Sequence, residues 1–284
     1  MRIAAAAVAL LLSAPVAAQT GATCRPPDDS NEALTLATMA VPVAFAPAGA
    51  PPGLAPWRVE LGFEAASVPE VDSAEAVPTI CRPGKGTENV NLLGVLPRPR
   101  VRLGLPGGLA FEGSWIPPVP VNDVEANLFG LSLARPVPVL DGRAVLSPRV
   151  HASFGRVEAP VTCPEEALDD PASECFGGTV SDDRWNPDQF GVDVALAWRA
   201  GRVQPYLGGG WTHLAPTFQV HFTNSAGQLD DTKVEVTLDR LALFAGLTWA
   251  ATPRLAVSGE AYGTPTDAAS FRLAGRVALG AVGQ

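Results

Sequence analysis

The chain is short of lysine. Lys85 and Lys233 are the only two, so nearly all of its positive charge is arginine. That bias suits guanidinium groups held in fixed pairs better than ammonium groups moving in water. Acidic residues outnumber basic ones, and a formal net charge of -9 argues against a nucleic-acid partner. Long apolar runs are also missing. After Ile3–Leu12 nothing approaches the about 18 residues that a membrane-spanning helix needs, which excludes a helical membrane protein. His213 and His221 lack companion ligands, and Cys24, Cys81, Cys163 and Cys175 have no zinc-motif spacing. Gly208-Gly209-Gly210 follows neither a Rossmann nor a P-loop context, and close strand packing accounts for it. No metal and no cofactor is expected.

The start of the chain is informative. Met1-Arg2, the apolar run and the small residues Val16 and Ala18 describe a secretory signal over residues 1–18, cleaved before Gln19. Export places the cysteines in an oxidising compartment, where disulfides form. Cys163 and Cys175 share one loop and are expected to pair, leaving Cys24 for Cys81. Residues 19–56 are rich in proline and alanine. Asp29 with Glu32 offers a capping box before a short helix over Ala33–Met39. An extended run through Val41, Val43 and Phe45 is the alternative.

From Trp57 onward the pattern changes to period two. Phe190, Val192, Val194, Leu196 and Trp198 alternate with Gly191, Asp193, Ala195 and Ala197. After a short connection at Gly201, Val203, Pro205, Leu207 and Trp211 continue the alternation. Two such runs around a tight turn read as a β-hairpin. Residues 57–284 contain about ten such segments in all. Connections over 66–90, 158–186 and 223–232 are long, whereas those near 106–108, 136–141, 200–201 and 250–253 are short. An even strand number brings both ends of the ribbon to the short-turn side. On that topology Trp57, Trp198 and Trp249 fall at the short-turn level. Phe63, Trp115, Phe154, Phe190, Trp211 and Phe271 fall at the other, as two interfacial girdles would. The apolar parity flips between Trp211 and Phe218 and again between Leu238 and Leu241, which predicts a pair of matched β-bulges.

These features resemble an outer-membrane β-barrel: all-β, antiparallel, up-and-down, with about ten strands and residues 19–56 as a plug or a loosely attached arm. The resemblance covers residues 57–284. One departure is the end, Val282-Gly283-Gln284, where such barrels usually carry a terminal aromatic read by the barrel-insertion machinery. It implies location in the outer membrane among lipid and lipopolysaccharide, with the apolar row toward lipid. The other row mixes Gly and Ala with Glu60, Glu64, Arg98, Arg100, Arg102, Glu112, Arg149, Asp193, Glu260, Arg272 and Arg276. Arginine on the lipid face would cost about 2–4 kcal/mol at mid-depth, so this row lines the lumen. There it forms either a polar conduit or an ion-pair network that closes the barrel.

Three functional readings follow. One is a narrow pore or transporter for small or hydrophobic solutes, with residues 19–56 as a hatch, as in fatty-acid transporter barrels; their Asn-Pro-Ala signature is absent here. Another is a structural or surface-interaction barrel with a sealed lumen, acting through acidic, disulfide-bearing loops. The third is a lipid hydrolase: His151-Ala152-Ser153 resembles the His-x-Ser arrangement of outer-membrane phospholipases and lipid A deacylases, but its parity faces the lumen and no orienting acid can be assigned. The chain is otherwise expected not to be an enzyme. The loop acid pairs Asp169-Asp170, Asp182-Asp183 and Asp230-Asp231 match no calcium loop and are expected to be solvated.

Overall fold

The computed structural model describes residues 21–51 and 53–279. The expected signal segment and the terminal Val282-Gly283-Gln284 lie outside them. Ten strands form a closed sheet. They are β1 (Val59–Ser67), β2 (Val95–Leu105), β3 (Leu109–Ile116), β4 (Glu125–Ala134) and β5 (Ala144–Ala159). Then come β6 (Gln189–Trp198), β7 (Val203–Leu214), β8 (Leu238–Ala250), β9 (Leu255–Gly263) and β10 (Ala269–Leu279). Each pairs antiparallel with its neighbour, and β10 closes on β1 through Val277↔Leu61. Closure leaves these strands no free edge.

Alternation decides which side is which. Phe271 is 69% exposed and Leu273 68%, whereas Arg272 between them is 1% exposed. The same holds around the wall: Leu61, Phe63, Leu207, Leu243 and Leu247 face out, Glu64 and Thr248 in. An apolar belt of this extent is stable against acyl chains and unstable against water. All nine expected girdle aromatics are on the outer surface. Phe129, absent from that set, joins Trp115 and Phe154 in a stacked row at 6.3 and 5.6 Å.

β7 and β8 continue beyond the rim as a ribbon, and here the structure corrects an expectation. Trp211↔Leu241, Leu214↔Leu238, Thr217↔Glu235 and Thr223↔Leu229 keep a single register, so there are no matched bulges. Thr212, Leu214, Phe218, Val220 and Phe222 are all buried on one face. Apolar residues change sides because the interior changes, from a polar lumen below to an apolar core above. Asp183–Asn186 and Thr23–Cys24 widen this outer sheet, the latter parallel to Lys233–Val234.

That upper core is built on α1 (Asn31–Val43), which lies inside the wall. Its N-cap is Ser30, whose Oγ accepts from the Ala33 N–H at 3.2 Å. Glu32 therefore does not complete a box with Asp29. The helix runs through Pro42, so the extended alternative over Val41–Phe45 is not adopted. From Ala40 to Ala50 every residue is buried. The chain descends the lumen as an irregular strap, with Ala48 and Gly49 at positive φ, and leaves where the Trp57 N–H donates to Gly104 O at 2.7 Å. The strands of the barrel do begin and end at the short-turn side. The segment ahead of them starts at the opposite end, because Cys24 is bonded to Cys81 there.

Candidate functional site

The lumen and the segment threaded through it form the densest polar site. A helix leaves its last carbonyls without partners and carries partial negative charge at that end. α1 has no basic residue in its last turn; the wall supplies the donors. Arg98, inward on β2, donates to the carbonyls of Pro42, Val43 and Ala44 at 3.2, 3.0 and 3.3 Å. Arg272, inward on β10, donates to Val41 at 2.9 Å and Ala44 at 2.7 Å. Gln189 Nε2 reaches Ala40 O at 3.1 Å, and Ser153 Oγ reaches Val43 O at 2.9 Å.

Below this cap, Glu64 is fully buried among three guanidiniums. Arg100 bonds it directly, Arg272 lies 3.5 Å away and Arg98 3.9 Å. Arg100 also donates to Glu112 at 2.9 Å and to Ala46 O at 2.8 Å. Its guanidinium lies 4.3 Å from the centre of the Phe45 ring. Room for that ring comes from Gly130, where a Cβ would sit 2.6 Å from it. Gly104 likewise lets the strap pass, since a Cβ there would meet Ala55 O at 2.1 Å. Arg102 bridges Glu112 at 3.0 Å and Glu60 at 3.5 Å.

Two further groups complete the lining. Arg149 pairs with Asp193, which also lies 3.3 Å from His151 Nε2. Glu260 accepts from the Ala48 N–H at 3.1 Å and from Tyr206 Oη at 3.0 Å. Thr248 Oγ1 accepts from the Ala50 N–H at 2.7 Å, while Arg276 donates to Ser258 at 3.2 Å. All eleven charged residues picked from the sequence face inward. Much of the network, however, is with main-chain groups of residues 40–50, and period-two alternation carries no signal for those. Ser153 and His151 are buried in the lumen, each engaged with a different partner.

At the long-loop end the loops are fastened to α1 and to one another. Burial would raise the Glu32 carboxyl, but the N–H groups of Cys81, Ile80 and Thr79, at 2.8, 2.8 and 2.9 Å, outweigh it and hold its pKa below the ordinary value. Arg82 gathers Glu88 at 2.6 Å, Glu174 at 2.8 Å and Asp230 at 3.6 Å. Burial pushes Glu88 up to about 7, with Asp183 and Glu174 adding to the rise against Arg82. Asp183 is not the solvated loop acid expected. It is 1% exposed and accepts from Thr162 N, Ser181 Oγ and His221 N at 2.6, 2.8 and 2.9 Å, while burial raises its pKa. Both expected cysteine pairs are disulfides. His213 contacts Asp239 at 2.8 Å on the outer surface. Among the described residues no three His, Cys, Asp or Glu side chains could hold a metal ion.

The space left around the strap is small. The cavity between Pro47, Gly49, Arg102 and Asp193 measures about 30 Å³. That holds a water or two and no solute.

No family model matches the sequence, and no curated protein does. Among solved structures, Ail, the attachment invasion locus protein of Yersinia pestis, shares 13% identity, covering 79% of this chain and 99% of that one at a TM-score of 0.31. The N-terminal β-barrel domain of Pseudomonas aeruginosa OprF shares 9%, covering 78% and 97% at 0.29. The Pseudomonas putida toluene transporter TodX shares 10%, covering 87% and 72% at 0.32. Likeness at this level says nothing of function. The strand pairing, apolar exterior and charged interior are those of an outer-membrane β-barrel.

Proposed function

We infer that this protein is a sealed outer-membrane barrel that acts through its outer face, with the long-loop end toward the exterior and lipopolysaccharide around its girdle. One observation carries the reading: the segment filling the lumen is held at both ends, by Cys24–Cys81 above and by continuity with β1 below. A hatch swinging toward the periplasm would have to break that bond. It would also strip the α1 carbonyls from Arg98 and Arg272. The disulfide-braced outer sheet and its acidic loops are then the working surface.

Planar-bilayer conductance tests this on three forms: the full mature chain, the same chain under reductant, and a variant lacking residues 19–56. The first two are expected to be silent. The third is expected to conduct or to fail to fold. Conductance or solute uptake by the oxidised full chain overturns the sealed reading in favour of a transporter.

A further inference from the structure

The apolar core at the long-loop end is not completely filled. A cavity of about 80 Å³ lies between α1, the connection before β2 and the upper ends of β4 and β5. Met39, Leu96, Leu128, Val157 and Phe218 line it, together with Trp185. Such a space is several times what one water needs, yet its walls offer water few partners. Two polar side chains line it, and the Asp183 carboxylate already accepts from Thr162, Ser181 and His221. Trp185 is only 6% exposed, and its indole N–H has no hydrogen-bond partner. Buried indole N–H groups ordinarily have one.

A break in the strand pairing adjoins this cavity. The β1–β2 ladder continues upward to Ser67↔Val95, and the β3–β4 ladder to Ile116↔Leu128. The β2–β3 ladder stops lower, at Arg100↔Ser114. The outer half of β2, paired to β1 but not to β3, contains Pro97 and Pro99, which have no N–H to give to a second ladder. Leu96, in this same stretch, lines the cavity. The seam therefore starts at the outer girdle, level with Phe63 and Trp115, and runs outward beside the cavity.

We propose that this cavity is a binding site for a small apolar molecule of about six heavy atoms with one hydrogen-bond acceptor, reached sideways through the β2–β3 seam. The hydrocarbon part replaces empty space against Leu128, Val157 and Phe218. The acceptor takes the Trp185 N–H. Such a ligand partitions into the membrane first, which suits a side opening rather than an axial one.

The test uses the full chain in lipid nanodiscs, with cyclopentanone as probe and cyclopentane as its acceptor-free control. The readout is the Trp185 indole ¹H–¹⁵N resonance, identified among six tryptophans by its loss in Trp185→Phe. Cyclopentanone is expected to move that resonance saturably, and cyclopentane is not. In Trp185→Phe, cyclopentanone affinity followed on neighbouring methyl resonances is expected to fall roughly five- to ten-fold, the share of one hydrogen bond. Ala126→Leu fills the cavity and is expected to abolish binding. Val68→Leu, from another wall, serves if Ala126→Leu fails to fold by heat-modifiable gel mobility. A resonance that does not saturate, or affinity unchanged in a folded cavity-filling variant, overturns the proposal.

Discussion

Replacing Glu64 by glutamine tests the central electrostatic claim. This carboxylate has no contact with solvent and faces Arg100, Arg272 and Arg98. At an effective dielectric constant near 20, a charge at 3.5 Å contributes about 5 kcal/mol and one at 3.9 Å about 4 kcal/mol, before the cost of removing the ions from water. The net loss on breaking a buried pair is about 3–5 kcal/mol, because the partner charges stay buried. Here all three arginines keep other acceptors: Arg100 retains Glu112 and Ala46 O, and Arg98 and Arg272 retain the α1 carbonyls. The expected loss is therefore near the lower limit, about 3 kcal/mol. Reversible urea unfolding in lipid vesicles, followed by tryptophan fluorescence, measures it. The loss should shrink in an Arg272→Met background, where one uncompensated charge is gone. A loss under about 1 kcal/mol, in the range of a surface pair, would refute the claim that Glu64 neutralises this cluster.

The other predictions concern the loops and the wall. Glu32→Gln should weaken three main-chain contacts and destabilise the loop by about 1–3 kcal/mol, seen as faster amide exchange at residues 79–81. Because the Glu32 pKa is lowered by folding, its contribution is present above the ordinary value and is lost as pH falls through the folded one. Glu88 has the opposite sign. Its folded pKa of about 7 means the folded state binds the extra proton between about 4.5 and 7, so its loop is tighter at pH 5.5 than at pH 8. Exchange over residues 82–93, corrected for intrinsic rates, should show that order; the reverse would contradict it. In the wall, Leu207 is 51% exposed midway between the girdle levels, and Val203 lies opposite Trp249. Leu207→Arg should cost about 2–4 kcal/mol of folding stability in lipid and Val203→Arg about 0–1. Equal effects would mean that this face does not cross acyl chains.

What could be read in advance divides by range. Strand positions, the two sides of the wall and the inward set of charges follow from alternation, which each strand carries within itself. The helix is visible only as an ambiguity: Asp29 with Glu32 suits a helix start, while Val41, Val43 and Phe45 alternate as a strand does. Burial decided it, since every residue from Ala40 to Ala50 is enclosed. The glycines of the inward row are legible in the sequence, but not what they make room for. Gly130 accommodates the Phe45 ring and Gly104 the Ala55 carbonyl, contacts made across long sequence distances. The same gap produced the mistaken bulges. A parity change in Leu214 and Leu238 reads as a slipped register only if the inside of the ribbon is assumed to stay polar; α1 makes it apolar.

The shortage of lysine also has a structural cause. Arg100 contacts two carboxylates, one carbonyl and the face of one ring at once. Arg98 reaches three carbonyls, and Arg272 two carbonyls and Glu64. A planar fork with five donors can serve partners in several directions, whereas an ammonium group on a flexible stem acts as a single point. Both lysines lie outside the lumen, with Lys85 bonded to Glu174 and Lys233 at 2.8 Å from Glu235. Arg100→Lys therefore keeps the charge but should leave at least one buried acceptor unsatisfied, at about 1–3 kcal/mol each. Lys233→Arg, at a partly exposed pair, should change stability by less than about 1 kcal/mol. If the two conservative exchanges cost the same in urea unfolding, the lumen requires only positive charge, and the geometric account of the arginines is wrong.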